Sequence, residues 1–222
     1  LVDRGVLSLD TTAGSLVPFW NEDEVDLRDL MSFTSGYGDE PLCLNNPAAD
    51  FTECAQKIFD EAVDPAPPGS EYRYASTHLQ IAGLMAIAAV DASDWGEVFA
   101  GFQERTGLFP DAAYDLPSVT NPRLAGGMHW TGEAYLAFLR GLAHGDLLST
   151  SSREALFADQ RGDAAVVASP IWEMIAEDWS YGLGNWLECP DATSPESFDC
   201  GAGHRNSSPG AYGAYPFIDF DE

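Results

Sequence analysis

The residues best suited to chemistry in this 222-residue chain lie in Y-R-Y-A-S-T-H-L-Q-I-A-G, residues 72 to 83. Tyr74, a small residue and Ser76 precede an almost wholly apolar run, so a phenol and a hydroxyl stand at the mouth of a helix. Such a phenol is either a proton carrier or an aromatic packed on the rim of a core. A free tyrosine, with a pKa near 10, is only about 0.1% ionised at neutral pH. To take up a proton, Tyr74 needs a cation beside it. Other familiar chemistries lack their signatures. No serine has glycine two positions away on both sides, as a nucleophile elbow requires. There is no H-E-x-x-H, and the only lysine, Lys57, follows Gln56, which removes a P-loop. His78, His129, His144 and His204 are scattered and read as surface or capping residues rather than ligands. A Ser-His-Asp triad assembles from distant segments, so spacing does not speak to it. No cofactor and no metal is expected.

The segments that must position Tyr74 and Ser76 are mostly helical. L-V-D-R-G reads as the last turn of a helix closed by Gly5. Leu27, Leu30 and Met31 share one helical face, stopped by T-S-G-Y-G. Asp50 and Glu53 form a capping box ahead of Phe51, Cys54, Ala55, Ile58 and Phe59, and P-A-P-P-G breaks that helix before Tyr72. Ser76 suits the N-cap of an alanine-rich, buried helix from His78 to Val90. Trp95, Val98, Phe99 and Phe102 mark a helix closed by Gly107, and Tyr135, Phe138, Leu139 and Leu142 one closed by Gly145. Ser151 and Glu154 box the start of a shorter one. From Trp179 the aromatic and glycine alternation of S-Y-G-L-G-N-W-L and G-A-Y-G-A-Y-P-F-I-D is strand-like. Strands are therefore expected only at the C-terminal end. Two alone would make a poor sheet, and both ends of the chain look cut.

Composition narrows the class. Ten Lys and Arg against 36 Asp and Glu leave a net charge of −26, which repels phosphate backbones and argues against nucleic-acid partners. The acidity fits a highly solvated surface, and adaptation to salty surroundings is the sharper expectation. No apolar run approaches the ~20 residues of a membrane span. The four cysteines fall as two pairs, Cys43 with Cys54 and Cys189 with Cys200, each enclosing a short polar loop. Two local disulfides are favoured over the other connectivities and over four free thiols, and no pair has the C-x-x-C spacing of a zinc site. Disulfides would place the protein outside the cytosol, secreted or periplasmic.

Five segments in order resemble the serine β-lactamase and penicillin-binding-protein family, in particular its class C β-lactamase and esterase branch. R-G-V-L-S-L-D-T-T resembles the stretch after the nucleophile helix. L-R-D-L-M-S-F-T-S-G resembles the family's L-L-S-H-T-S-G, with Phe33 where histidine is usual. Y-A-S resembles the Tyr-x-Asn element, and N-P-R-L-A-G-G-M-H-W-T the stretch before the next helix. Y-G-L-G-N-W and S-P-G-A-Y-G resemble the strand region with the third motif. The resemblance implies an α+β, β-lactamase/transpeptidase-like fold. It divides the chain into a mainly helical region, 1–178, and a strand region of the antiparallel sheet, 179–222, with both ends truncated.

The same resemblance implies an active-site serine acylated by an ester, a D-amino-acid amide or a β-lactam, with no cofactor. Tyr74 would relay protons, and Ser76, at the usual asparagine position, would donate to a substrate carbonyl. Ser208, Pro209 and Gly210 would stand at the Lys/His/Trp-x-Gly triplet, with the Ala211 N–H as oxyanion donor. Ser208 lacks the cation or imidazole of that triplet, which tilts the expectation toward ester or amide, and His204 is the weaker substitute. Tyr37, Trp130 and Tyr212 either line the pocket or pack. The Ser-x-x-Lys of the family is absent, since Cys54 precedes Lys57 by three positions. The nucleophile is thus expected outside these residues, leaving this chain alone inactive. The alternative is a non-catalytic homologue that keeps the fold as a binding module. Oligomeric state is not legible.

Overall fold

The computed structural model describes residues 1–21, 24–188 and 205–220. Cys189, Cys200 and His204, and with them one of the two expected disulfides, lie outside the described residues. The other expected disulfide, Cys43–Cys54, is formed.

Seven α-helices are described: α1 (Leu27–Met31), α2 (Phe51–Asp60), α3 (Thr77–Ala89), α4 (Trp95–Thr106), α5 (Gly132–His144), α6 (Thr150–Phe157) and α7 (Pro170–Ile175). Their ends follow local chemistry. Asp50 accepts from the N–H groups of Thr52 and Glu53 at the start of α2, and Asp94 from that of Glu97 at the start of α4. Gly5, Gly107 and Gly145 adopt the left-handed conformation that closes a helical turn. The expected first turn is present as a 3-10 turn, Val2–Arg4.

Helix α3 is the hub. Eight of its residues are buried, and at Gly83 a Cβ would stand 2.2 Å from Leu124 Cδ1, so that any side chain there would displace Leu124. It packs on α1, α2 and α4. The core so formed is hydrocarbon, with Leu30, Leu44, Ile81 and Met85 all but inaccessible. Helices α4 and α6 have no fully buried residue. Trp95, Phe102 and Leu156 from those two helices line, with Leu1, Leu79 and Leu183, a cavity of about 550 Å³.

The strands differ from expectation. A four-stranded antiparallel sheet of order β10-β9-β8-β7 is built from β7 (Ser180–Tyr181), β8 (Trp186–Leu187), β9 (Asn206–Ser207) and β10 (Phe217–Ile218). S-Y-G-L-G-N-W-L is therefore not one strand but a hairpin. Gly184 turns it at a positive φ, and the Gly184 N–H donates to the Met31 carbonyl. Strands are also not confined to the C-terminal end. β1 (Glu71–Arg73) pairs in parallel with β6 (Ala165–Ala168). Two antiparallel pairs, β2 (Ala113–Tyr114) with β5 (Met128–His129) and β3 (Pro117–Ser118) with β4 (Asn121–Pro122), shape the loop before α5. Pieces of two to four residues carry too little periodicity to be read from sequence. Likewise α6 is capped by Ser149, not Ser151. Asp3 draws the Ser149 and Ser152 hydroxyls onto its carboxylate, which starts the helix two residues earlier.

Candidate active site

Strand β1 delivers Tyr74 to the mouth of α3. The Arg73 N–H donates to Phe33 O, and the Tyr74 N–H to Ala168 O, so the backbone is held from two sides. The ring then joins a second, aromatic core. It stacks on Trp186 of β8 at 5.1 Å and 24°, and meets Phe33 at 5.3 Å and Tyr181 at 6.0 Å. It remains 39% exposed, while Tyr72 and Tyr181 beneath it are buried. Phe33, which replaces the usual histidine, has φ 63°, a conformation costly for a bulky residue. Its ring contacts with Tyr74, His78 and Tyr181 hold it there.

Burial sets the protonation of this cluster. Desolvation pushes the Tyr74 phenol above its ordinary pKa, while hydrogen bonding by Trp186 and the charge of Arg123 pull it down without prevailing. With the groups described here, Tyr74 is a neutral phenol at physiological pH, a donor rather than a base. Tyr72 and Tyr181 are raised further by the same cause.

His78 corrects a sequence reading. It is wholly buried rather than a surface or capping residue. Its Nε2–H donates to the Arg73 carbonyl at 3.0 Å, its Nδ1 accepts from the Ser35 hydroxyl at 2.8 Å, and its ring stacks on Phe33. Desolvation lowers its pKa to about 4, so it is neutral and structural, tying the S-F-T-S-G segment to β1. No periodicity signals this, because Ser35, the partner of Nδ1, comes from a loop 43 residues away.

Ser76 also departs from expectation. It occupies the N-cap position of α3, yet its side chain caps nothing. Instead its oxygen accepts from Arg123 Nε at 3.1 Å and Nη2 at 2.7 Å, and its N–H donates to Glu40 Oε1 at 2.6 Å. The competing partner is a guanidinium, and a charge-assisted bond outweighs a neutral cap. Arg123 is the site residue that sequence reasoning missed. No local signal marks it, since Gln80 of α3 clamps the backbone on both sides of Arg123 only in the fold, donating to Pro122 O and accepting from Leu124 N–H. Gly127 is required because a Cβ would lie 2.6 Å from Arg123 O.

The third-motif residues lie further along. Register places Trp186 opposite Ser207, whose buried hydroxyl has no partner among the described residues. Ser208 follows and is exposed. On α5, Tyr135 packs on Trp130. Ser208 N–H is committed to Pro216 O and Gly210 N–H to Ala214 O, so Ser208, Gly210 and Ala211 form the exposed turn joining β9 to β10. The structure thus places Tyr74 on Trp186, which β8 pairs opposite Ser207, the residue before Ser208. Tyr37 is core and Tyr212 is solvent-exposed. Among the described residues no cluster of three His, Cys, Asp or Glu side chains is arranged for a metal. No helix there is long and apolar enough to cross a membrane.

Comparison with known proteins speaks to the fold. No family sequence model and no curated protein matches the chain. Solved structures do. A candidate β-lactamase from Bacteroides dorei is 25% identical, with a TM-score of 0.79 over 99% of this chain and 68% of that one. EstCE1, a hydrolase with promiscuous acyltransferase activity, is 14% identical at a TM-score of 0.71, over 99% of this chain and 72% of its own. A D-stereospecific amidohydrolase from Streptomyces is 15% identical at 0.61, over 96% and 67%. At such identities the last two speak for the fold alone. The chain therefore has the α+β fold shared by these β-lactamase-like and penicillin-binding-protein-like structures.

Proposed function

We propose that these residues are part of a serine hydrolase that works through an acyl-enzyme on an ester or a D-amino-acid amide, and less readily on a β-lactam. In this reading the nucleophile and its lysine come from a helix outside the 222 residues. The carrying observation is the setting of Tyr74: a partly exposed phenol stacked on Trp186 of β8, the strand that pairs with β9, two residues before a Ser76 that Arg123 holds. Tyr74 and Ser76 face the reacting carbonyl, and the turn Ser208-Gly210-Ala211 borders the site as its strand-side edge. A cavity of about 550 Å³ lies behind the aromatic core, with Leu79, which packs on that core, among its walls. An ammonium placed beside the Tyr74 phenol would oppose the desolvation that raises its pKa and make it a better base. Export from the cytosol fits the Cys43–Cys54 disulfide.

The test is chemical. The full-length product of the gene should be labelled by a fluorophosphonate or a fluorescent penicillin, and Tyr74→Phe should slow labelling by at least about a hundredfold, the usual worth of general acid–base catalysis. The 222-residue chain should stay unlabelled. The protonated state of Tyr74 favours one second reading, a non-catalytic binding homologue. A full-length product that carries no Ser-x-x-Lys and takes no label would establish that reading.

A further inference from the structure

We infer that Arg123 is a positioning residue that turns the Ser76 hydroxyl into a dedicated hydrogen-bond donor toward a carbonyl oxygen bound beside Tyr74. This rests on the hydrolase reading for its substrate and on hydrogen-bond accounting for its mechanism. A serine hydroxyl has one hydrogen to donate and two lone pairs to accept with. At Ser76 both lone pairs are taken, by Arg123 Nε at 3.1 Å and Nη2 at 2.7 Å. The hydroxyl hydrogen must therefore point away from the guanidinium, and among the described residues Ser76 Oγ, on a buried residue, donates no hydrogen bond. The neighbouring positive charge also polarises the O–H bond, which strengthens it as a donor.

Arg123 is built to hold that orientation. Its Nη1 donates to Asn45 Oδ1 at 3.0 Å, and Nη2 lies 3.5 Å from Glu40 Oε2. Glu40 holds the Ser76 N–H with its other oxygen, so one carboxylate braces both residues. The Gln80 clamp and the close approach of Gly127 fix the Arg123 backbone. A serine freed of this fork could rotate among acceptor and donor roles. The forked serine offers what one N–H of a carboxamide offers, a donor of fixed direction, at a position where the related family carries asparagine.

Two measurements decide it. Neutron diffraction from crystals of the 222-residue chain should show the Ser76 deuteron directed away from Arg123 and toward the solvent side of Tyr74. A deuteron on the line to Glu40, or spread over several rotamers, overturns the inference, whatever the fate of the hydrolase reading. In the full-length enzyme, Arg123→Met should lower kcat/KM on an ester about tenfold, the worth of one well-directed hydrogen bond. In a Ser76→Asn background, where the carboxamide brings its own N–H, the same change should cost less than about twofold. Equal losses in both backgrounds would mean that Arg123 merely supports the fold. A full-length protein that takes no label refutes the hydrolase reading, and the deuteron position still judges Arg123.

Discussion

The chain packs two cores that differ in kind. The one around α3 has 18 buried residues among those described, and only Trp20, Tyr37 and Phe51 are aromatic. The one beneath Tyr74 has seven, of which five are aromatic. The first is held by non-directional burial of hydrocarbon and a disulfide, while the second carries polar handles throughout. Arg161 and Asp178 form a buried ion pair at 2.7 Å beside it, His78 is hydrogen-bonded at both nitrogens, and the Tyr72 hydroxyl is buried without a partner among the described residues. The lesson is a division of labour. Hydrocarbon gives stability that tolerates imprecise geometry, whereas rings with polar edges hold a phenol in one orientation.

The largest effect should come from breaking the handle under the aromatic core. Asp178→Ala leaves the Arg161 guanidinium buried without its carboxylate, and should cost about 3–5 kcal/mol in urea unfolding. A smaller loss would show that the two cores do not differ as described. In the hydrocarbon core, Met85→Ala should cost about 2–5 kcal/mol. Phe102→Ala, on the cavity-facing side of α4, should cost no more than about 1 kcal/mol. Equal losses at these two positions would contradict the open cavity. Reduction of Cys43–Cys54, which closes a loop of sequence separation 11, should remove about 3 kcal/mol as read by the melting temperature with and without reductant.

Acid separates the cores more gently. His78 has a folded pKa of about 4 against an ordinary 6.5, so the unfolded chain binds the proton first. Its contribution is complete above about pH 6.5 and is lost as pH falls toward 4, up to roughly 3 kcal/mol. Asp29 in α1 has the opposite sign: desolvation raises its folded pKa to about 6, so protonation below that value favours the folded state. Wild type should therefore lose stability between pH 6.5 and 4 more steeply than His78→Gln, measured by urea midpoints at three pH values. Parallel curves for the two proteins would remove His78 as a titrating element.

Much of the scaffold was legible because it is local. Gly107 and Gly145 end their helices, Asp50 starts α2, and the Cys43–Cys54 loop is short enough to close on itself. The order of the motifs was legible too, and it led to the right fold. Other features had no local signal. Ser76 was read as a cap because capping is what a serine at a helix mouth does for its own neighbours.

What the sequence by itself determined is therefore six of the seven described helices, many of their ends, and the identity of the phenol at the mouth of α3. Tertiary structure alone decided what that mouth does. The partner of Ser76 is 47 residues away in Arg123, that of His78 is 43 residues away in Ser35, and the face of Trp186 that receives Tyr74 exists only once β7 to β10 have paired. Caps and turns are closed by neighbours whose energies the residue types already state. A hydroxyl or an imidazole, by contrast, takes whichever donor or acceptor the folded chain brings within about 3 Å, and only the completed fold makes that choice.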